Sequence, residues 1–269
     1  MWIRVNNRRP CTVCNKPDWC TFLENGLIHC MRIESPQTAR NGGWIHKPDA
    51  RRPTTVRISV DSPPPALNPA DIERRWQGWN EKTSPDARSR FAGNLGVDEI
   101  ALGVLGAVWA GEHHAWAFPM RNEDNRMIGI RFRNHTGAKW ALRGSHNGLF
   151  IPQRPPADRT VYICEGPTDT AAALMLGLYA VGRPCCLGQE EMINLFMRRA
   201  GLKRAVIVAD ADEPGLQGAD RLQDLIRFSS CILIPMTKDL REFVRIGMDA
   251  TMLNALMSGL KWSRRWNES

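Results

Sequence analysis

Thr160-Val161-Tyr162-Ile163-Cys164-Glu165-Gly166-Pro167-Thr168-Asp169 joins an apolar, β-favouring run to an acidic turn and the start of a helix. The same event recurs downstream, where Ala205-Val206-Ile207-Val208-Ala209 runs into Asp210-Ala211-Asp212-Glu213-Pro214-Gly215. A third apolar run, Cys231-Ile232-Leu233-Ile234-Pro235, leads to Lys238-Asp239. Strands that alternate with helices imply right-handed crossovers and a mostly parallel sheet. The C-terminal strand ends of such a sheet lie side by side, so these carboxylates converge in one crevice. Close like charges repel unless a cation sits between them, and Mg²⁺ prefers hard oxygen ligands. The occupant this pattern points to is a metal carrying a polyphosphate.

Two helices support the layering. Thr168 is placed to cap a helix whose Ala171, Ala172, Leu174, Met175 and Leu178 share one face. A second is expected after Pro214-Gly215, with Leu216, Ala219, Leu222, Leu225 and Ile226 at helical spacing. An isolated Glu-Gly turn or Asp-x-Asp is most often a solvated strand-to-helix turn; the order of the pieces carries the argument. That order is strand, Glu-Gly-x-x-Asp, helix, strand, strand, Asp-x-Asp, helix, strand, Lys-Asp. It resembles the TOPRIM domain shared by DNA primases, type IA and II topoisomerases, and some nucleases and recombination proteins, over about residues 158 to 247. The resemblance implies that Glu165 is the family's glutamate, a metal ligand or general acid/base. It likewise implies that Asp210 and Asp212 are the metal-binding pair and that Asp169 is the acidic residue after the first turn. Asp239 stands where primases often carry a further metal-associated aspartate. Ala211 replaces the usual glycine between the paired aspartates, which removes no ligand.

A second signal lies at the N-terminus. Cys11-Thr12-Val13-Cys14 is followed by Cys20 and Cys30. A Cys-x-x-Cys knuckle lets two thiolates share one zinc, and two later cysteines complete a tetrahedral site, with His29 and His46 as alternative fourth ligands. The wide spacing of the second pair departs from the standard two-knuckle pattern. Cys164, Cys185, Cys186 and Cys231 read instead as small apolar residues in or near core strands. No apolar run approaches the ~20 residues of a membrane span, and no secretory signal is present, so a disulfide framework is not expected. The segment has little apolar material, and zinc would supply most of its folding energy, on the order of 10 kcal/mol. Through Val60 ten lysines and arginines stand against four carboxylates, a net of +6 that accounts for most of the whole-chain +8. A basic ribbon bearing Trp19, Arg8 and Arg9, beside a phosphate-transfer site, points to nucleic acid.

Between these ends, Pro48 to Pro69 holds six prolines and reads as a linker. Asn68-Pro69-Ala70-Asp71 then opens a helix bearing Trp76 and Trp79, which favour packing over base stacking. Ala115-Trp116-Ala117-Phe118-Pro119-Met120-Arg121 and Met127-Ile128-Gly129-Ile130-Arg131-Phe132-Arg133 read as strands joined by the hairpin turn Asn122-Glu123-Asp124-Asn125. Alternation puts Arg131 and Arg133 on one face, and Lys139 and Arg143 continue the basic character. Here the resemblance narrows to DnaG-type bacterial and phage DNA primases. Their core places a basic subdomain before TOPRIM, with an apolar-Pro strand, an Ile-Gly-apolar-x-Arg strand and a Lys-aromatic element. Phe118-Pro119, Ile128-Gly129-Ile130-Arg131-Phe132-Arg133 and Lys139-Trp140 stand here in that order. The zinc-then-TOPRIM order also resembles recombination-mediator proteins, which lack the basic subdomain. The ribbon spacing departs from cellular primases and suits phage or mobile-element versions.

The organisation expected is a zinc ribbon over 1–47, a linker over 48–67, a basic α+β subdomain over 68–157, an α/β TOPRIM domain over 158–247 and a helix with basic tail over 248–269. The resemblance implies a nucleotidyltransferase making short RNA or mixed primers on single-stranded DNA from nucleoside triphosphates. Mg²⁺ or Mn²⁺ would be held by Glu165, Asp210 and Asp212, with Asp239 a further candidate. Arg121, Arg131, Arg133, Lys139, Arg143 and Lys238 would face template or triphosphate. No P-loop occurs, so coupling to a replicative helicase would act in trans, in the host cytoplasm or nucleoid. A metal-dependent nuclease and a non-catalytic zinc–TOPRIM DNA-binding protein remain the alternatives. With only Tyr162 and Tyr179 present, a type IA topoisomerase is disfavoured.

Overall fold

The computed structural model describes residues 2–6, 8–39, 43–47, 66–186, 188–234 and 237–258. The chain divides into two compact units, Met1–Ser62 and Pro63–Ser269. The division falls within the stretch read as a linker, of which residues 48–65 lie outside the described ones; so does the basic tail from 259 onward.

In the first unit β1 (Ile3–Arg4), β2 (Thr21–Phe22), β3 (Ile28–Cys30) and β4 (Trp44–His46) form an antiparallel sheet in sequence order. Strands this short bury little. The buried core is Val5, Phe22 and three of the cysteines, Cys11, Cys20 and Cys30. Such a core does not suffice to offset the ordering of the chain without a further tie.

In the second unit, α1 (Pro69–Lys82) begins where Asn68 accepts a hydrogen bond from the Ala70 N–H at 3.0 Å. Ser84 and Asp98 likewise cap α2 (Pro85–Leu95) and α3 (Glu99–Val104). An antiparallel sheet follows, with β5 (Val108–Ala110), β6 (Ala115–Arg121), β7 (Met127–Arg133) and β8 (Lys139–Ala141) in sequence order. The two central strands and the turn between them fall where the alternation placed them, with the Asn125 N–H donating to the Asn122 carbonyl at 2.9 Å. One face, with Ile130 and Phe132, packs on Ile72 and Trp79 of α1. Trp76 and Trp79 are packing residues, and their indole N–H groups donate to the Gly106 carbonyl (2.8 Å) and to Glu112 (2.7 Å).

The remaining elements are β9 (Thr160–Glu165), α4 (Gly166–Met175), β10 (Ala180–Arg183), α5 (Glu190–Arg199), β11 (Arg204–Ala209), α6 (Glu213–Leu225), β12 (Ser229–Leu233), α7 (Leu240–Arg245) and α8 (Ala250–Met257). The strands form a fully parallel sheet in the order β10-β9-β11-β12. α4 and α7 contribute to one core with Cys164, Val206 and Val208, while α5 and α6 join Val161, Ile163 and Ile207 in another. The first of these cores continues into Trp116, Phe118 and Met120 of the antiparallel sheet, so the two sheets share apolar interior. Leu149 pairs with Arg121 and Phe150 with Gly182, tying the ends of β6 and β10 through one extended segment.

Several local expectations need correction. α5 was not anticipated between β10 and β11; its Gln189 N-cap makes no side-chain bond, and Glu190 and Glu191 complement its N-terminal dipole instead. Thr168 does not cap α4. The cap position is Glu165, and Gly166, at φ +77°, turns the chain straight from strand into helix, leaving Thr168 buried in the first turn. Met175, the last residue of α4, is exposed and Leu178 lies beyond the helix end, because α4 stops early. α6 starts at Glu213 rather than after Gly215, capped by Asp212, and Leu216 and Leu225 are exposed while Gly218, Ala219 and Leu222 are buried.

Gly129 and Gly78 should respond oppositely to alanine. A Cβ at Gly129 would lie 2.0 Å from the His146 carbonyl oxygen, backbone that cannot swing away, whereas Gly78 in α1 has open space around it. Chemical denaturation should show Gly129→Ala destabilised by about 1–3 kcal/mol and Gly78→Ala stabilised by up to ~1 kcal/mol.

Candidate active site and metal centre

β9, β11 and β12 deliver the acidic side chains to one edge of the parallel sheet. Glu165 ends β9, Asp210 follows β11, and Asp169 sits one turn into α4. A crevice of about 150 Å³ is lined by Glu165, Asp169, Asp210 and Asp239 together with Arg131, Arg133, Lys139 and Lys238. Asp212 lies beside it: one oxygen caps α6 through the Gly215 N–H at 3.0 Å, and the other faces the Lys238 ammonium at 3.6 Å. Asp239 caps α7 through the Glu242 N–H at 2.8 Å. Asp169 is buried and accepts from the Arg241 N–H at 3.0 Å, which locks α4 to the start of α7. Arg121 and Arg143 are not among the residues lining this crevice. The Arg121 guanidinium donates to the Asn125 carbonyl at 3.0 Å within the hairpin turn.

The crevice stores repulsion. Burial, then the charges of Glu165, Asp239 and Asp212, push the Asp210 carboxyl up to about 7. Burial and Asp239 also push Asp169 upward, against the Arg241 N–H. Glu165 is raised by burial and held back mainly by Arg183. Converging hard oxygen donors suit Mg²⁺ or Mn²⁺, which take one or two carboxylates and fill the remaining positions with water or phosphate. Among the described residues no three of these carboxylates have oxygens that all lie within 4.8 Å of one another.

Arg183 was not anticipated. It ends β10 in register with Glu165, is 1 % exposed, and brings a guanidinium nitrogen within 3.7 Å of the Glu165 carboxylate. Its Nε and Nη1 have no hydrogen-bond partner. A fully buried arginine is costly unless a charge requires it, and Glu165 supplies that charge. The signal was available: a cation ends the run Ala180-Val181-Gly182, just as Glu165 ends its own.

In the first unit the sulfur atoms of Cys11, Cys14, Cys20 and Cys30 all lie within 4.8 Å of one another. A tetrahedral site with Zn–S bonds of 2.3 Å has S···S edges of ~3.8 Å; Cys14–Cys20 and Cys20–Cys30 measure 3.6 and 3.9 Å. Backbone N–H groups of Met31 and Ile33 point at Cys20 and Cys30 sulfur at 3.4 and 3.3 Å. Its hydrogen bond to Cys30, then burial, pushes the Cys11 thiol up to about 12, a cost that a cation at the centre reverses. Cys11, Cys14, Cys20 and Cys30 are free thiols. The histidine alternatives fall away: His46 Nε2 is engaged with the Ile33 carbonyl at 3.0 Å, and His29 packs edge-on against Trp2. Among the described residues these four are the one group of three or more His, Cys, Asp or Glu side chains whose ligand atoms all lie within 4.8 Å of one another. Trp19 is 77 % exposed, Arg8 is exposed, and Arg9 lies 3.7 Å over the Phe22 ring.

No protein-family model matches the sequence, and no curated protein matches it. Solved structures do match in fold. The E. coli primase catalytic core aligns with a TM-score of 0.55 at 15 % identity, over 72 % of this chain and 80 % of that one. A DnaG primase catalytic domain bound to single-stranded DNA gives 0.56 and 16 %, over 72 % and 80 %. The Aquifex aeolicus primase, comprising zinc-binding and RNA polymerase domains, gives 0.59 and 13 %, over 73 % and 63 %. The chain has the fold of DnaG primase catalytic cores. At this identity the likeness to those primases is one of backbone topology, and the chemistry rests on the crevice. No helix among the described residues is long and apolar enough to cross a membrane.

Two measurements probe these centres. Elemental analysis should find a single equivalent of zinc, lost in Cys30→Ser and retained in His46→Ala. For the crevice, folded Asp210 holds a proton between its ordinary 3.8 and about 7, where the unfolded chain does not. Without divalent metal, its contribution to stability therefore falls as pH rises through that window. Denaturation should show Asp210→Asn gaining on the wild type as pH rises from 3.8 to about 7, with saturating Mn²⁺ shifting the balance back. A pH-independent difference would remove the repulsion argument.

Proposed function

We propose that this chain is a primase-like nucleotidyltransferase that makes short RNA or mixed primers on single-stranded DNA. The observation carrying the reading is the crevice itself, where four carboxylates and four cationic side chains line one small volume at the edge of a parallel sheet. Glu165, Asp210 and Asp212 would hold Mg²⁺ or Mn²⁺, with Asp239 a further ligand. When bound, such a metal screens a triphosphate and increases the acidity of an attacking hydroxyl. Asp169 fixes the geometry from below, through its bond to the α7 backbone. Arg131, Arg133, Lys139 and Lys238 offer fixed positive charge for phosphates entering the crevice, and guanidinium forks suit them in particular. Arg121 and Arg143 extend the basic surface for the template. Phosphoryl transfer of this type needs positioning and charge stabilisation more than covalent chemistry, and the residue set supplies both.

In this reading the four cysteines hold zinc, and the ribbon over 1–47 grips template through Trp19, Arg8 and Arg9, an exposed aromatic beside cations. Residues 48–67 would link it to the basic subdomain (68–157) and to a TOPRIM domain (158–247), with the 248–269 segment completing the chain. Partners would be single-stranded DNA, nucleoside triphosphates and a replicative helicase in trans, within a phage- or element-bearing bacterial cell's cytoplasm or nucleoid.

One gel tests the assignment. Single-stranded DNA, Mn²⁺ and labelled nucleotides should yield new short oligomers, and Glu165→Gln or Asp212→Asn should lose synthesis by orders of magnitude while remaining folded. Shortening of the template would make the chain a nuclease. No reaction, or wild-type rates in Asp212→Asn, would refute the crevice as the catalytic centre.

A further inference from the structure

Arg183 stands among the largest fully buried side chains, and the phosphate chemistry above leaves it unused. Two close approaches hold it in place. A Cβ at Gly182 would lie 2.2 Å from Thr170 Oγ1 and 2.9 Å from the Gly166 carbonyl oxygen, so glycine lets β10 press onto the first turn of α4. A Cβ at Gly218 of α6 would lie 2.8 Å from Arg183 Nη2, so a second glycine makes room for the guanidinium itself. Parallel register then sets Arg183 beside Glu165, with Nη2 3.7 Å from Oε1. That carboxylate oxygen is buried and has no hydrogen-bond partner among the described residues, and Nε and Nη1 of Arg183 have none either. Glu165 lines the acidic crevice and Arg183 does not, so the guanidinium meets the carboxylate from the side away from the crevice. Burial pushes the Arg183 guanidinium down, and Glu165 offsets this more than Glu190 or the two following cysteines do.

We infer that Arg183 is a positioning residue for the divalent metal: it holds one oxygen of Glu165 and so leaves the other as a single, fixed ligand atom for the crevice. The inference rests on the reading of Glu165 as a metal ligand and adds what keeps that ligand in place. Two effects of opposite sign compete. A cation near a metal repels it, so by Coulomb's law alone removing Arg183 would tighten metal binding. An outer partner also orients its ligand, and losing one typically costs about 10- to 100-fold in metal affinity. Orientation wins here because the carboxylate stands between the guanidinium and the crevice, while Asp212 and Asp169 push against Glu165. Without Arg183 the buried oxygen loses the cation 3.7 Å from it, and nothing holds the carboxylate against that repulsion.

The test is equilibrium Mn²⁺ titration of the full, zinc-loaded chain, followed by electron paramagnetic resonance, in a double-variant cycle. Arg183→Met keeps the stem and removes the charge; it should weaken Mn²⁺ binding roughly tenfold. Arg183→Lys should lose less, and Glu190→Gln, which removes the other carboxylate acting on the guanidinium, should lose nothing. Glu165→Gln keeps its shape and should bind Mn²⁺ more weakly. In that background Arg183→Met should have no further effect, because the arginine acts through the carboxylate. Near-ultraviolet circular dichroism checks the packing of each variant, and Arg183→Lys carries the same cycle if Arg183→Met loses it. Mn²⁺ binding by Arg183→Met as tight as in the wild type, or tighter, overturns the inference, as does an undiminished loss in the Glu165→Gln background. Wild-type Mn²⁺ affinity in Glu165→Gln removes the ligand reading and the inference with it. No synthesis enters the titration, so the expected pattern in a chain that makes no primer supports the role of Arg183 while refuting the proposed function.

Discussion

α4 is the element around which the second unit is fitted. Ala171, Ala172 and Ala173 are all fully buried, and their small side chains let β9, β10, α3 and α7 approach it from several sides. The shared apolar interior runs from Phe118 and Trp116 of the antiparallel sheet past α4 to Val206 and Ile232 of the parallel one. A larger residue at any of these alanines would overfill a space already at interior density. The same helix begins at the acidic edge of the parallel sheet. Its first turn carries Asp169, its cap position is Glu165, and its packing therefore sets where both carboxylates sit.

Charge at that edge is arranged against stability. Glu165, Asp169 and Asp210 are all driven toward protonation by burial and by one another. Such a cluster persists because the surrounding structure determines it, and it is relieved by a cation or by buried counter-charge. The two caps, Asp212 on α6 and Asp239 on α7, each use one oxygen to hold a helix start and leave the other turned elsewhere. Local folding and the site thus draw on the same side chains. Arg183 answers Glu165 from the neighbouring strand, in the position that parallel register dictates.

The first unit solves a different problem by different means. Among the described residues, three of its five buried core residues are cysteines, so its interior is also the candidate metal site. Backbone N–H groups aimed at sulfur, and Arg32 reaching toward Cys14 and Cys20 while paired to Asp18 at 2.8 Å, offset thiolate charge from outside the cluster.

The sequence by itself determined the strands and their acidic ends, because apolar runs bounded by Glu-Gly and Asp-x-Asp are local signals that burial on both faces of a sheet demands. It also determined the β6–β7 hairpin, through two apolar runs, the spacing of Arg131 and Arg133 and an Asn-rich turn, and the cysteine quartet's membership down to the choice between cysteine and histidine. Tertiary structure decided the rest. The strand order β10-β9-β11-β12 is non-local, and only that order sets Arg183 beside Glu165. α5 was hidden because its N-terminus lacks a side-chain cap, and the true start of α4 because glycine backbone freedom leaves no polar signature. The exposure of Leu216, Leu225 and Met175 followed from which helix faces found a partner. Local chemistry can be read along a chain, but the meeting of distant side chains is a property of packing.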